Sequence, residues 1–426
     1  FATMIPVAGG AYTYTFATLG EFAAWMVGWV LMLEYAIGFI AVACAWSNHF
    51  VQFMAGFDKV LPAWLAHPPV WLTNDVFSVG KLVSENPDIH VPTLLGMPIC
   101  INLPAILIVL LITAILVKGT KDSAKMAGLM VFIKLAVIGL FILAGAFFVR
   151  PENWTPFAPH GAEGIFAGAF LIFFAYIGFD ALATAAEECK NPQKDLPIGI
   201  IGSLVITTIV YVLVALVLTG MQNTSGPVPL DFLKAPMAYC MMQAKQNWAA
   251  GLISVGSLAG LTSVLLVLEM AATRILFAMS RDHFISKRFQ KLDPKYKTPA
   301  LLTWTVGILA VVGILTLNLD VAAELCNYGT FTSFIIVCVA VLILRHTDPK
   351  RPRPFKVPFS PVTPALGIIC CGGLMIYKSS QAGSSALLFP VWLGVGAIIY
   401  LLYGFIKNRN NENRIHKEIV HGTSEN

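Results

Sequence analysis

Six ionisable side chains stand inside apolar stretches of this 426-residue chain: Glu34, Lys134, Asp180, Glu269, Arg274 and Glu324. Each is costly in hydrocarbon unless it faces protein or water, so each marks a pathway, a proton relay or an ion pair. Asp180 is the most informative. It follows Gly178 by two residues in LIFFAYIGFDALATAAEE (171–188), a run that begins as an apolar helix and loses helical logic at Ala175–Gly178. Unwound backbone at membrane depth frees N–H and C=O groups, which attract a carboxylate and an ammonium. An α-amino acid carries both. The same residues also fit a glycine packing kink in which Asp180 satisfies the freed backbone.

Lys134, in VFIKLAVIGL, lies ten residues into its apolar run, roughly 15 Å along a helix axis, too deep to reach the interface easily. It reads as an interhelical ion pair or as a group that handles protons, since burial disfavours a charged lysine. Glu34 divides between a substrate cavity and helix–helix hydrogen bonding. Glu269 reads as a side-chain selectivity residue or a packed glutamate. Arg274 and Glu324 lie nearer span ends, where snorkelling or surface pairing accounts for them.

The elements that must position these groups are membrane helices. The chain is 57% hydrophobic and 12% charged, with a mean hydropathy of +0.75, against about 25% charge in soluble domains. Apolar runs predict ten spans, at about Glu21–Gly56, Leu103–Val117, Ala124–Val149, Gly164–Glu187, Pro197–Gly220, Trp248–Ser280, Ala300–Leu317, Ala322–Leu344, Val362–Tyr377 and Leu388–Ile406. The KGTKDSAK stretch is expected to form a basic hairpin between two of them. Of the 28 Lys and Arg residues, 20 fall in one set of loops, 6 in the other and 2 within spans. The bias places the first set, and the C-terminus, in the cytoplasm. Residues 1–410 form one transmembrane domain and 411–426 a polar cytoplasmic tail. The expected location is the plasma (inner) membrane.

Other function classes fit poorly. The basic residues sit in loops between spans, so the net charge of +5 points to no nucleic acid. The spans hold no His pair, HExxH or GxSxG, which leaves an intramembrane enzyme without a nucleophile or metal constellation. A non-transporting sensor stays open. The eight cysteines form no CxxC pair and mostly read as small packing residues. A disulfide between Cys100 and Cys240, both outside the predicted spans, is left open.

Three stretches carry a family resemblance. PVAGGAYTYTFATLGEFAAWMVGWVLMLEY, FFAYIGFDALATAAEECKNPQKDLPIGI and TRILFAMSRDHF resemble the amino acid–polyamine–organocation transporters, nearest to the cationic amino acid transporter branch and its bacterial relatives. The resemblance covers roughly residues 4–410 and implies an all-α polytopic membrane protein of the leucine-transporter type. That fold has twelve helices, the first ten forming two inverted five-helix repeats. On this scheme the ten spans are the third to twelfth, the chain lacks the family's first two, and 164–187 is the broken sixth helix.

The resemblance also implies roles. The backbone at Phe174, Ala175 and Ile177 would hold the substrate amino group, with Glu34 and Asp180 near the pocket. Leu268 and Glu269 fall near a selectivity position that is small or apolar in relatives. Lys134 would stand where sodium-coupled relatives bind sodium, facing Thr262 and Ser263, so coupling would use the proton gradient with no cofactor and no sodium site. The expected partners are an amino acid and the bilayer, with protein partners open. SRDHF has His283 where many relatives carry glycine, which predicts a loop of different shape. The implied activity is proton-coupled uptake of cationic or varied L-amino acids, with amino acid/amine exchange as the alternative.

Overall fold

The computed structural model describes residues 1–403 apart from 6–8, 58–59, 86–90, 95–96, 185–188, 227, 230–231, 233–234, 318, 351 and 382–385. The expected tail at 411–426 lies outside the described residues. Among those described, helices dominate. The short α1 (Ala11–Leu19) leads through Gly20 into α2 (Glu21–Ala55). A loop with short helical turns and a two-residue antiparallel ladder, Thr93–Leu94 against Met97–Pro98, precedes α3 (Leu103–Lys118). Then come α4 (Thr120–Gly145), α5 (Gly161–Ile172), the single turn α6 (Ala181–Thr184) and α7 (Pro192–Met221). The amphipathic turn α8 (Pro236–Gln243) precedes α9 (Asn247–Arg281). The remainder is α10 (Ala300–Thr316), α11 (Leu319–Thr347), α12 (Val362–Ser380) and α13 (Ala386–Tyr403).

Among the described residues, eight helical stretches are long and apolar enough to cross a bilayer, and α3 and α10 are shorter apolar helices. The chain is therefore a polytopic integral membrane protein. Its centre is α2, which is apolar around its whole circumference as a fully surrounded helix must be. Of its most apolar stretch 72% is buried, against 6% for α7 and α12, which lie at the outside of the bundle. Along α2 run α9 and α11, and the largest core cluster joins α2, α3, α9 and α10 through Tyr35, Phe39, Ile112, Leu265, Ile275 and Ile314.

Local chemistry explains where helices begin. The carboxamide of Asn102 accepts from the Ala105 amide at 3.3 Å and from Ser47 Oγ at 2.6 Å, which caps α3 and ties it to α2. Helix α7 starts five residues before the expected Pro197, because Pro192 occupies its first turn and Asp195 accepts from the Asn191 amide at 3.3 Å. The expected basic hairpin after α3 contracts to Gly119 alone, at φ +138°, and α4 begins at Thr120.

The remaining expectations for the loops are settled by side-chain contacts. Cys100 and Cys240 are both free thiols, so no disulfide joins them. Glu324 pairs with Lys378 of α12 at 2.7 Å, as expected for a group near a span end. His283 stands at φ +65°, a left-handed conformation that glycine adopts without strain. The loop thus keeps a glycine-compatible shape despite the substitution. Asp282 beside it accepts from Tyr12 Oη of α1 at 2.7 Å, and Tyr403 Oη donates to the His283 carbonyl.

Candidate functional site

The helix break lies where the sequence placed it. Helix α5 ends at Ile172 and tightens into one 3-10 turn, Phe173–Tyr176. Ile177 is extended, with ψ 133°, and Gly178 has φ +108° before the chain re-enters helix at Ala181. An added Cβ at Gly178 would meet nothing within 4 Å, so the glycine is required by its backbone conformation and not by space.

A break in a helix frees carbonyls, and neighbouring helices take several of them up. Asn327 Nδ2 of α11 donates to the Phe170 carbonyl at 2.8 Å. Tyr211 Oη of α7 donates to the Ala175 carbonyl at 2.6 Å. The Ile177 amide donates to the Phe174 carbonyl at 3.3 Å. Of the backbone groups expected to meet a substrate ammonium, those of Phe174 and Ala175 thus already hold protein donors. The rings of Phe170 and Phe173 pack on Phe331 of α11, which fixes the first half of the broken helix against the bundle.

Below the break two carboxylates from separate helices meet. Tyr35 Oη of α2 donates to Asp180 Oδ2 at 2.6 Å. Glu34, the preceding residue, is fully buried and lies within electrostatic reach of Asp180. Among the described residues, neither Glu34 oxygen nor Asp180 Oδ1 has a hydrogen-bond donor. Thr330, whose hydroxyl faces Glu34, donates instead to the Cys326 carbonyl at 3.0 Å. The Cys326 thiol donates to the Glu34 carbonyl at 3.1 Å. Three acceptor oxygens thus share a buried region beside a helix break, an arrangement suited to hydrogen-bond or charge recognition of a small polar ligand.

The second group is at the contact of α4 with α9. Gly256 and Gly260, four residues apart on α9, admit Val137 and Lys134 of α4 at close range. Lys134 lays its stem across Gly260 and its Nζ reaches Ser263 Oγ at 3.4 Å, a long hydrogen bond. Ser263 in turn donates to the Gly260 carbonyl. Thr262, also expected to face the lysine, points elsewhere: it accepts from Trp46 Nε1 of α2 at 2.9 Å. Adjacent residues on a helix differ by about 100° in direction, so one of the two must turn away.

The same rule separates Leu268 from Glu269. Leu268 packs on Gly38 of α2, one turn beyond Glu34. Glu269 is fully buried on the other side, accepting from Thr113 Oγ1 of α3 at 2.7 Å. The structure therefore gathers Glu34, Asp180, Phe174 and Ile177 around the break, puts Leu268 alongside, and gives Lys134 to Ser263. Glu269 it directs toward α3. Sequence reasoning missed Tyr35, Tyr211 and Asn327. Each is a polar side chain within a membrane-length apolar helix, which was the available signal.

A membrane-embedded bundle with buried acidic groups at a broken helix defines a solute transporter by class. The sequence profile described as amino acid permease matches residues 1–402, and the chain belongs to that family, within the amino acid–polyamine–organocation transporters. It is 40% identical to the methylthioribose transporter of Bacillus subtilis (strain 168), over 95% of this chain and 81% of the relative. It is equally 40% identical to the branched-chain amino acid permease BcaP of the same organism, over 97% and 83%. The chloroplastic cationic amino acid transporter 9 of Arabidopsis thaliana is 34% identical over 81% of this chain and 56% of the relative. These relatives are named as transporters and permeases, not as enzymes.

Proposed function

We propose that this permease carries L-amino acids by proton-coupled symport, working by alternating access around the broken helix. The observation that supports it best is the junction at Gly178, where Tyr35–Asp180 and Glu34 bring acceptor oxygens to freed backbone. Lys134 serves as the coupling group, and its contact with Ser263 lies on the α4–α9 seam that must slip as the bundle rocks. A cationic side chain would give the Glu34 oxygens the partner they lack, which favours cationic or varied substrates. The names of the relatives widen the field to branched-chain amino acids and to methylthioribose, whose hydroxyls could donate to the same oxygens. The reading places the protein in the plasma membrane with its C-terminus in the cytoplasm.

The test is uptake of labelled arginine, leucine and alanine by the full-length protein in proteoliposomes. An inward proton gradient is expected to drive accumulation of at least one of the three. No gradient-driven uptake of any, with the protein folded and inserted, would sink the symport reading. Uptake that requires internal amino acid or amine, and ignores the pH gradient, would replace symport by exchange.

A further inference from the structure

A cavity lies away from the broken helix, at the end of the bundle where α4 and α7 both run out. Its volume is about 520 Å³, and its lining comes from the end of α4, the end of α7 and the turn α8. The polar residues lining it are Arg150, Gln222, Gln243 and Tyr239. Among the described residues, no carboxylate lines it. Cys240, also in the wall, has its thiol pushed up to about 11 by burial, so it remains neutral and adds no negative charge.

The framework of this cleft is firmly held. The Arg150 amide donates to the Gly220 carbonyl at 2.9 Å, and Asn153 Nδ2 donates to the same carbonyl at 2.8 Å. Trp154 Nε1 donates to the Leu216 carbonyl at 3.2 Å. Helix α8 closes with Lys245 at φ +60°, whose amide donates to the Met242 carbonyl, and the Gln246 amide donates to the Met241 carbonyl at 2.8 Å. Two apolar membrane-length helices end here with a tryptophan at their edge, the pattern of a membrane–water interface. Phe147, also in the wall, is 88% exposed, presenting an apolar ring beside the polar mouth.

We propose that this cleft binds the headgroup of an anionic phospholipid. Arg150 pairs with the phosphate, Gln222, Gln243 and Tyr239 donate to its oxygens and glycerol, and an acyl chain runs past Phe147. A guanidinium fits a phosphate by a planar fork, which a lysine cannot reproduce. Because the cleft is bounded by the ends of two spans, an occupant braces α4 and α7 together, independently of what the permease carries.

The experiment uses the full chain in phosphatidylcholine nanodiscs doped with a photoactivatable phosphatidylglycerol. Crosslinked peptides are identified by mass spectrometry. Labelling is expected at the Phe147–Arg150 and Tyr239–Gln243 segments, and it falls about fivefold in Arg150→Gln, with a smaller fall in Gln243→Leu. Arg150→Lys, which keeps the charge and guards against a folding defect, retains part of the labelling. Equal labelling of these segments by a photoactivatable phosphatidylcholine overturns the proposal. So does labelling unchanged in Arg150→Gln, or its complete suppression by millimolar inorganic phosphate, which would make the cleft a free-anion site.

Discussion

Tyr35 of α2 and Asp180, beyond the break in α5–α6, are joined by a 2.6 Å hydrogen bond across 145 residues of sequence. It connects the most buried of the membrane-length helices described to the segment where a helix breaks. Tyr35→Phe keeps the ring but removes the donor, leaving both Asp180 oxygens without a side-chain partner. Leaving a buried acceptor without its donor costs about 1–3 kcal/mol. Transport efficiency in proteoliposomes is expected to drop about tenfold or more, whereas Phe39→Leu in the core nearby changes stability without that selective loss. Full activity in Tyr35→Phe would show that Asp180 needs no such anchor.

Lys134 makes one described polar contact, to Ser263, so its role separates cleanly from structural pairing. Lys134→Met preserves the stem that crosses Gly260 and deletes the charge. Counterflow of labelled substrate is expected to persist, because it needs only binding and rocking, while accumulation against a gradient is abolished. Normal proton-driven accumulation in that variant would remove Lys134 from coupling.

Gly178 and His283 give opposite predictions from the same backbone argument. Gly178 has φ +108° with open space around it, so Gly178→Ala meets no clash and suffers only conformational strain, about 1–3 kcal/mol. Uptake and thermal stability should both fall. His283 already occupies φ +65°, and His283→Gly relieves that strain, raising stability by up to about 1 kcal/mol. Thermal unfolding in detergent measures both, and a shift in the same direction for the two would contradict the argument.

The break and the order of the apolar helices were legible in the sequence, because glycine and apolar length are local signals. What was not legible is which way neighbours on one helix point. Thr262 and Ser263 are adjacent, yet only Ser263 meets Lys134. Leu268 and Glu269 are adjacent, yet only Leu268 meets α2. Direction depends on helix rotation in the bundle, which apolar composition cannot set when every face is hydrophobic. The braces at the break were hidden for a related reason. Tyr211 and Asn327 lie in apolar runs and gain meaning only once α7 and α11 are beside the freed carbonyls.

The direction of Glu269 yields a sharper test of selectivity. If the position reads a substrate side chain, Glu269→Gln must change the ratio of arginine to leucine uptake. The structure turns it toward Thr113 of α3, with Oε1 accepting at 2.7 Å, and turns Leu268 toward Gly38, a turn from Glu34. Leu268→Ala is therefore expected to change the uptake ratio, through space opened beside the acidic pair. Glu269→Gln keeps the acceptor for Thr113 and should leave the ratio unchanged. Thr113→Val, which strips that donor from a buried carboxyl group, should lower thermal stability by about 1–3 kcal/mol at an unaltered ratio. Competition uptake of the two amino acids by each variant decides between them: a ratio that follows Glu269 and ignores Leu268 would return the glutamate to the substrate pocket.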